Sequence, residues 1–257
     1  MELLQFGFPL FINSILIWVL DATDKWVIKF FLGTDMVGIY SIGHKLYLFV
    51  LFYAIIFRTA WWPLAMKLVN KKSINKELFK DVSKIYIGLG LAACIILDLF
   101  AKDVFQLIFP DSYLMGFEVV GVLSITAVFY GYLLISQIGI IKSERNGVLS
   151  IIVIISAILN LILNLLFVPR YGLIAAGIST MISMVLRNFL LLIVSEKRFS
   201  LGLSKSLLLI QFLIASTAIL THYYFSDTLL FSIICLIILV IISLPSNSKE
   251  LIGRFKK

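Results

Sequence analysis

Residues 18–33 read WVLDATDKWVIKFFLG. The chain on either side is apolar enough for a bilayer, yet Asp21, Asp24, Lys25 and Lys29 fall within nine positions. A charged side chain at mid-bilayer costs about 2.5–3.5 kcal/mol on insertion scales. Several such charges left alone would cancel the gain from a whole span, so they must pair, reach water or line a cavity. Asp21 and Lys25 are spaced i,i+4, as are Lys25 and Lys29, and Asp24 follows Asp21 at i+3. One face of a helix therefore presents a mixed acidic and basic stripe.

The rest of the chain makes this a membrane problem. Its 257 residues are 61% hydrophobic, with a mean hydropathy of +1.07. A soluble domain of this size needs far more polar surface. At about 20 apolar residues per span, eight candidates emerge, at roughly 4–32, 37–66, 83–101, 115–141, 148–168, 172–194, 206–225 and 228–244. The expected fold is an all-α integral membrane protein of about eight transmembrane helices. The last two spans carry few polar residues and a tight turn at Phe225–Thr228, and read as an appended hairpin.

The basic residues set orientation. Lys67, Lys71, Lys72, Lys76, Lys80, Lys84, Lys142, Arg145, Lys197, Arg198 and Lys205 crowd one set of loops, and Lys249, Arg254, Lys256 and Lys257 the tail. The alternate loops hold Lys102 and Arg170, so the bias is fifteen to two. The positive-inside rule then places both termini in the cytoplasm. These lysines flank spans and meet anionic head groups, so the net charge of +8 does not imply a nucleic-acid partner. Cys94 and Cys235 lie in apolar runs and read as buried thiols. No phosphate-binding loop, dinucleotide fingerprint, nucleophile elbow or metal-ligand spacing occurs. The expectation is therefore a non-enzyme with no cofactor and no metal. In the loop AKDVFQLIFPDSYL, residues 101–114, Val104, Phe105 and Ile108 share a face. This predicts a short amphipathic helix along the interface, ended by Pro110 and Asp111.

The charges of the first two spans gather by depth. With about 1.5 Å of rise per residue, Asp21 stands roughly 22 Å above Phe6, and His44 and Lys45 about 10 Å in from Gly38. Asp21, Asp24, Lys25, His44 and Lys45 reach similar levels. Tyr40, Tyr47 and Arg58 fall within roughly 40° of one another around the second helix. Two readings stand. Lys29 snorkels to the interface, Asp21–Lys25 is a structural pair and the tyrosines pack or anchor; or the cluster lines a polar pathway, which Arg58, with only apolar neighbours, favours. Asn160 and Asn164 are explained by interhelical hydrogen bonds, and Gly172, Ala176 and Thr180 by close helix packing. Asp98, near a helix end, needs no special role.

Two blocks of sequence resemble a known family. The first is FGFPLFINSILIWVLDATDKWVIKFFLGTDMVGIYSIGHKLYLFV with AWWPLAMKL, and the second is LNLILNLLFVPRYGLIAAGIST. Pro9-Leu10, Asp24-Lys25, Phe31-Leu32-Gly33, Asp35, Val37-Gly38-Ile39-Tyr40 and Trp62-Pro63 carry the first; Asn160 and Pro169-Arg170-Tyr171-Gly172 carry the second. Over about residues 6–195 they resemble the O-antigen, capsule and exopolysaccharide flippases of the MATE-like superfamily. That resemblance implies a function of moving an undecaprenyl-diphosphate-linked oligosaccharide across the bacterial inner membrane. It implies a second, C-terminal six-helix lobe over 1–195 and two extra helices with a basic cytoplasmic tail over 196–257.

The family's first lobe has no counterpart in this sequence. Full transport is therefore expected to need a separately encoded N-terminal lobe or a homodimer. A diphosphate needs cations, so Lys25, Lys45 and Arg58 are the candidate anion contacts. Asp21 and Asp24 are expected to orient those bases or to bind a coupling Na+ or H+, and His44 to titrate near neutral pH. Tyr40, Tyr47, Trp61 and Trp62 are candidates for stacking on sugars. Alternatives are a cation-coupled drug exporter of the same superfamily and a non-transporting membrane scaffold or inactive remnant.

Overall fold

A computed structural model describes residues 22–70, 75–143, 147–225 and 228–245. Among them every regular element is a helix. Helix α1 is described over 22–32. It is followed by α2 (Thr34–Leu46), α3 (Leu48–Val69), α4 (Lys76–Ile108), a 3-10 segment (Asp111–Val119), α5 (Val120–Ser136), α6 (Ile138–Lys142), α7 (Gly147–Tyr171), α8 (Leu173–Arg198), α9 (Lys205–Tyr224) and α10 (Leu229–Ser243). Among the described residues six helices are long and apolar enough to cross a membrane: Leu48–Val69, Lys76–Ile108, Asp111–Lys142, Gly147–Tyr171, Leu173–Arg198 and Lys205–Tyr224. The chain is a multi-pass membrane protein. Helix α10 is apolar but shorter, at 15 residues.

Burial follows composition. Helix α5 is apolar on every side and is buried along nearly its whole length, as a helix with no polar face must be in a packed interior. Helices α3, α4 and α8 surround it. Helix α7 turns Ile151, Ile155, Ile158, Ile162 and Leu166 outward, the lipid-facing stripe expected of a peripheral span. Cys94 and Cys235 are free and buried.

Two expectations are corrected. The span at 37–66 is two helices, interrupted at Tyr47. Residues 101–108 are not a separate interfacial helix but the end of α4, which runs 33 residues without a break, about 50 Å. Ile87, Leu91, Cys94, Asp98, Ala101 and Phe105 are all buried and recur at alternating steps of three and four. That period continues through Lys102 and Asp103, which point away, so the core face never ends where the charges begin. Ile108, expected on that face, is 62% exposed. Phe109 is extended, as a residue before proline prefers, and Pro110 closes the helix. The other end of α4 is capped by the Asn75 side chain, which accepts from the Leu78 amide at 3.2 Å.

The α9–α10 pair packs on α4. The Gln211 side-chain amide on α9 donates to Ser243 Oγ on α10 at 2.8 Å and to the Lys84 carbonyl on α4 at 3.2 Å. The approach is close because α4 has Gly88 there, where a Cβ would collide with the Ser243 side chain. Gly88→Ala is expected to separate these helices and cost about 1–3 kcal/mol, the usual toll of overpacking. A lowered thermal unfolding midpoint in detergent checks it. In the connection from α8 to α9, Glu196 accepts from the Leu201, Gly202 and Leu203 amides at 3.0–3.2 Å, fixing the entry to the hairpin.

Candidate functional site

Two one-residue hinges build the site. Gly33 has φ +93° and joins α1 to α2; Gly172 has φ +69° and joins α7 to α8. Both backbones lie where side-chain-bearing residues are strained, so each chain reverses at once. Asp24 precedes Gly33 by nine residues and Tyr40 follows it by seven. Asn164 precedes Gly172 by eight and Thr180 follows it by eight. All four side chains therefore sit about 11–14 Å along their helices from the same end of the lobe.

They meet there. The Tyr40 hydroxyl donates to Asp24 Oδ2 at 2.7 Å, the Thr180 hydroxyl to the same oxygen at 2.6 Å, and Asn164 Nδ2 to Oδ1 at 2.9 Å. Asn160 Nδ2 supports Thr180 Oγ1 at 2.9 Å. Asp24 is 6% exposed. The carboxylate is thus held by neutral donors from α2, α7 and α8. The amide oxygens of Asn160 and Asn164 are buried and have no hydrogen-bond partner among the described residues, although buried acceptors are almost always satisfied.

From this network a cavity of about 450 Å³ runs along α2 and α3. His44, Tyr47, Leu51, Ile55, Arg58 and Thr59 form one wall, in steps of three, four, four, three and one. The His44 and Tyr47 rings are in contact, their centroids 4.4 Å apart. From His44 to Arg58 the wall spans about 21 Å. The opposite wall comes from α5 (Leu123, Thr126, Ala127, Tyr130) and α8 (Thr180, Met184). Arg58 Nη1 donates to the Tyr130 hydroxyl at 3.1 Å, and the guanidinium stands 5.9 Å from that ring's centroid. Arg58 has no carboxylate partner among the described residues. Ile55, Arg58 and Thr59 are exposed, so this chain leaves the cavity open along α3.

The predicted residues distribute unevenly. Asp24, His44, Tyr47 and Arg58 line the cavity. Tyr40 does not stack into it but is buried behind it, bound to Asp24. Lys25 and Lys45 are not on its wall; each follows a lining residue in sequence and is rotated about 100° away from it. Among the described residues Asp24 makes no ion pair with a basic side chain. Trp61 is buried against Phe57 and Phe79 rather than offered to a ligand. Asp21 lies outside the described residues.

Comparison with protein-family profiles, characterised proteins and solved structures finds no match for this chain. Chemistry alone must then rank the site's uses. No group of three His, Cys, Asp or Glu suited to a metal occurs among the described residues. The Asp24 cluster is different: a buried carboxylate held by two hydroxyls and an amide NH₂, a hard oxygen group that suits a proton or a hard cation rather than a transition metal. Asn164 and Thr180 bond Asp24 and Asn160 bonds Thr180; the asparagines make the interhelical hydrogen bonds expected of them, whereas Thr180 reads in the sequence only as a packing residue. The legible signal was four polar residues at matched distances from two glycine hinges. Tyr130 and Thr126, inside an otherwise apolar span, gave no such signal.

Proposed function

We propose that this chain forms one lobe of a bacterial inner-membrane flippase for undecaprenyl-diphosphate-linked oligosaccharides, of the MATE-like type, with about eight spans and both termini cytoplasmic. The observation that carries the proposal is the open cavity itself. It joins a buried carboxylate network at one end to an arginine without an acidic partner at the other. Arg58 receives the diphosphate bidentately; Tyr47, Thr59 and Tyr130 meet the polar part of the substrate. Asp24 holds the coupling cation, Na+ or H+, whose binding biases the lobe between its conformations. A second lobe covers the open α3 side, where Phe49, Phe52, Ile55 and Ile56 are exposed, and the two rock about the cavity.

The second reading, a cation-coupled drug exporter, uses the same Asp24 network. It calls for a cation-accepting wall, and the exposed Arg58 there disfavours it. The test is complementation of a flippase-deficient strain by this chain alone and with a separately expressed six-helix first lobe. Restored surface polysaccharide with the lobe, and little without it, is expected. No restoration in either case, with both proteins in the membrane, refutes the flippase reading.

A further inference from the structure

We propose that the lysine-poor end of the lobe holds a phospholipid with a primary ammonium head group, bound between the α9 end and the α7–α8 pair. Two adjoining cavities carry the inference. One, of about 480 Å³, is an apolar groove between α7 and α8, lined by Phe167, Tyr171, Ile178 and Ile182 and closed by Tyr223 and Tyr224 of α9. The other, of about 680 Å³, lies between α4, the 3-10 segment and the end of α9, and is lined by Asp98, Lys102, Glu118 and His222. Tyr223 and Tyr224 line both. The groove and the charged pocket therefore adjoin at an aromatic collar, Tyr223 and Tyr224.

Its direction matches a lipid in a leaflet. Tyr171 and Ile174 stand beside the Gly172 hinge, and the groove descends to Leu163 on α7 and Ile182 on α8, about 12 Å into the span. Tyr223 and Tyr224 end α9 at the same level, where tyrosines gather in membrane proteins. An acyl chain fits the groove and leaves its head group at the charged pocket.

The charges select the head group. His222 Nδ1 and Asp98 Oδ2 are paired at 2.8 Å across α9 and α4, forming the pocket floor and joining the hairpin to the lobe. Lys102 and Glu118 have no hydrogen-bond or ion-pair partner among the described residues. Lys102 Nζ stands over the Phe117 ring, 6.0 Å from its centroid. One unpaired cation and one unpaired anion complement a zwitterion: Lys102 takes the phosphodiester and Glu118 accepts from the ammonium. A trimethylated ammonium cannot donate to Glu118, and a glycerol head group brings no cation. This inference rests on membrane insertion alone, not on transport.

The test is native mass spectrometry of the full chain extracted from nanodiscs with equal phosphatidylethanolamine, phosphatidylcholine and phosphatidylglycerol, plus a trace of undecaprenyl phosphate. One phosphatidylethanolamine per chain is expected to persist in preference to the other lipids. Glu118→Gln, an isosteric change at a half-buried site, is expected to reduce that retention about tenfold, the scale of one charge-assisted hydrogen bond. Ile178→Trp, which fills the groove, is expected to abolish it. Head-group-blind retention overturns the proposal, as does undecaprenyl phosphate held instead, or a preference that both variants leave intact.

Discussion

Asp24→Asn is expected to leave the protein folded but indifferent to sodium. In the wild type, Na+ that binds only the native state stabilises it by about 2.7 kcal/mol at a concentration one hundred times its dissociation constant. The thermal midpoint should then rise when choline is replaced by sodium. Asparagine keeps the shape of the side chain. Its NH₂ fits best on the side of Tyr40 and Thr180, whose hydroxyls can turn to accept, while its oxygen still receives Asn164. The network survives while the charge does not. Without that charge the remaining oxygens are neutral dipoles, and sodium affinity should fall about a hundredfold, roughly 2.7 kcal/mol. Complementation in the two-lobe assay should fail as well. An undiminished sodium response in Asp24→Asn would remove this residue from cation binding.

Asn160→Ala tests the same site from a residue that supports Thr180 and also interacts with Asp24. It deletes an unpartnered oxygen and the amide that supports Thr180. Sodium affinity is expected to weaken about tenfold, read from the same titration of the thermal midpoint. An unchanged affinity would make Asn160 a packing residue.

How far the sequence could be read depended on the kind of information each residue carries. Helical periodicity and apolar length exposed the membrane spans, because lipid demands both. The Tyr47–Arg58 face was legible for the same reason: angular position within a helix follows from residue number alone. Partnership between helices did not follow. Lys25 and Lys45 share the depth of the cluster, but depth says nothing of azimuth, and 100° of rotation takes them off the wall. Asn160 and Asn164 do make the interhelical hydrogen bonds expected of them, but the identity of one partner, Asp24, was not legible because it lies 140 positions from Asn164. Asp98 looked dispensable near a helix end until α9 brought His222 to it. At 101–108, charged residues suggested that a span had finished, whereas the buried stripe beneath them continued. Charge marks one face of a helix, not its end.

Arg58→Ala is expected to abolish transport without harming the fold. Arg58 is exposed in the cavity, and its interactions, a 3.1 Å hydrogen bond to Tyr130 and a 5.9 Å cation–π approach to that ring's centroid, are weak restraints on stability. Exposed substitutions of this sort usually fall within about 0.5 kcal/mol. Yet a guanidinium on a span costs about 2.5–3.5 kcal/mol to insert, and no acid among the described residues offsets it. A function that needs a fixed positive charge at this depth explains the expense, and in the proposed flippase a diphosphate would use it, accepting two parallel N–H bonds from the guanidinium edge. Arg58→Ala should therefore lose complementation at normal membrane abundance, and Arg58→Lys should recover only part, because an ammonium keeps the charge and forfeits the bidentate geometry. Tyr130→Phe, which removes the hydroxyl but leaves the ring beneath the guanidinium, should cost severalfold rather than everything. Full complementation by Arg58→Ala would remove Arg58 from substrate binding.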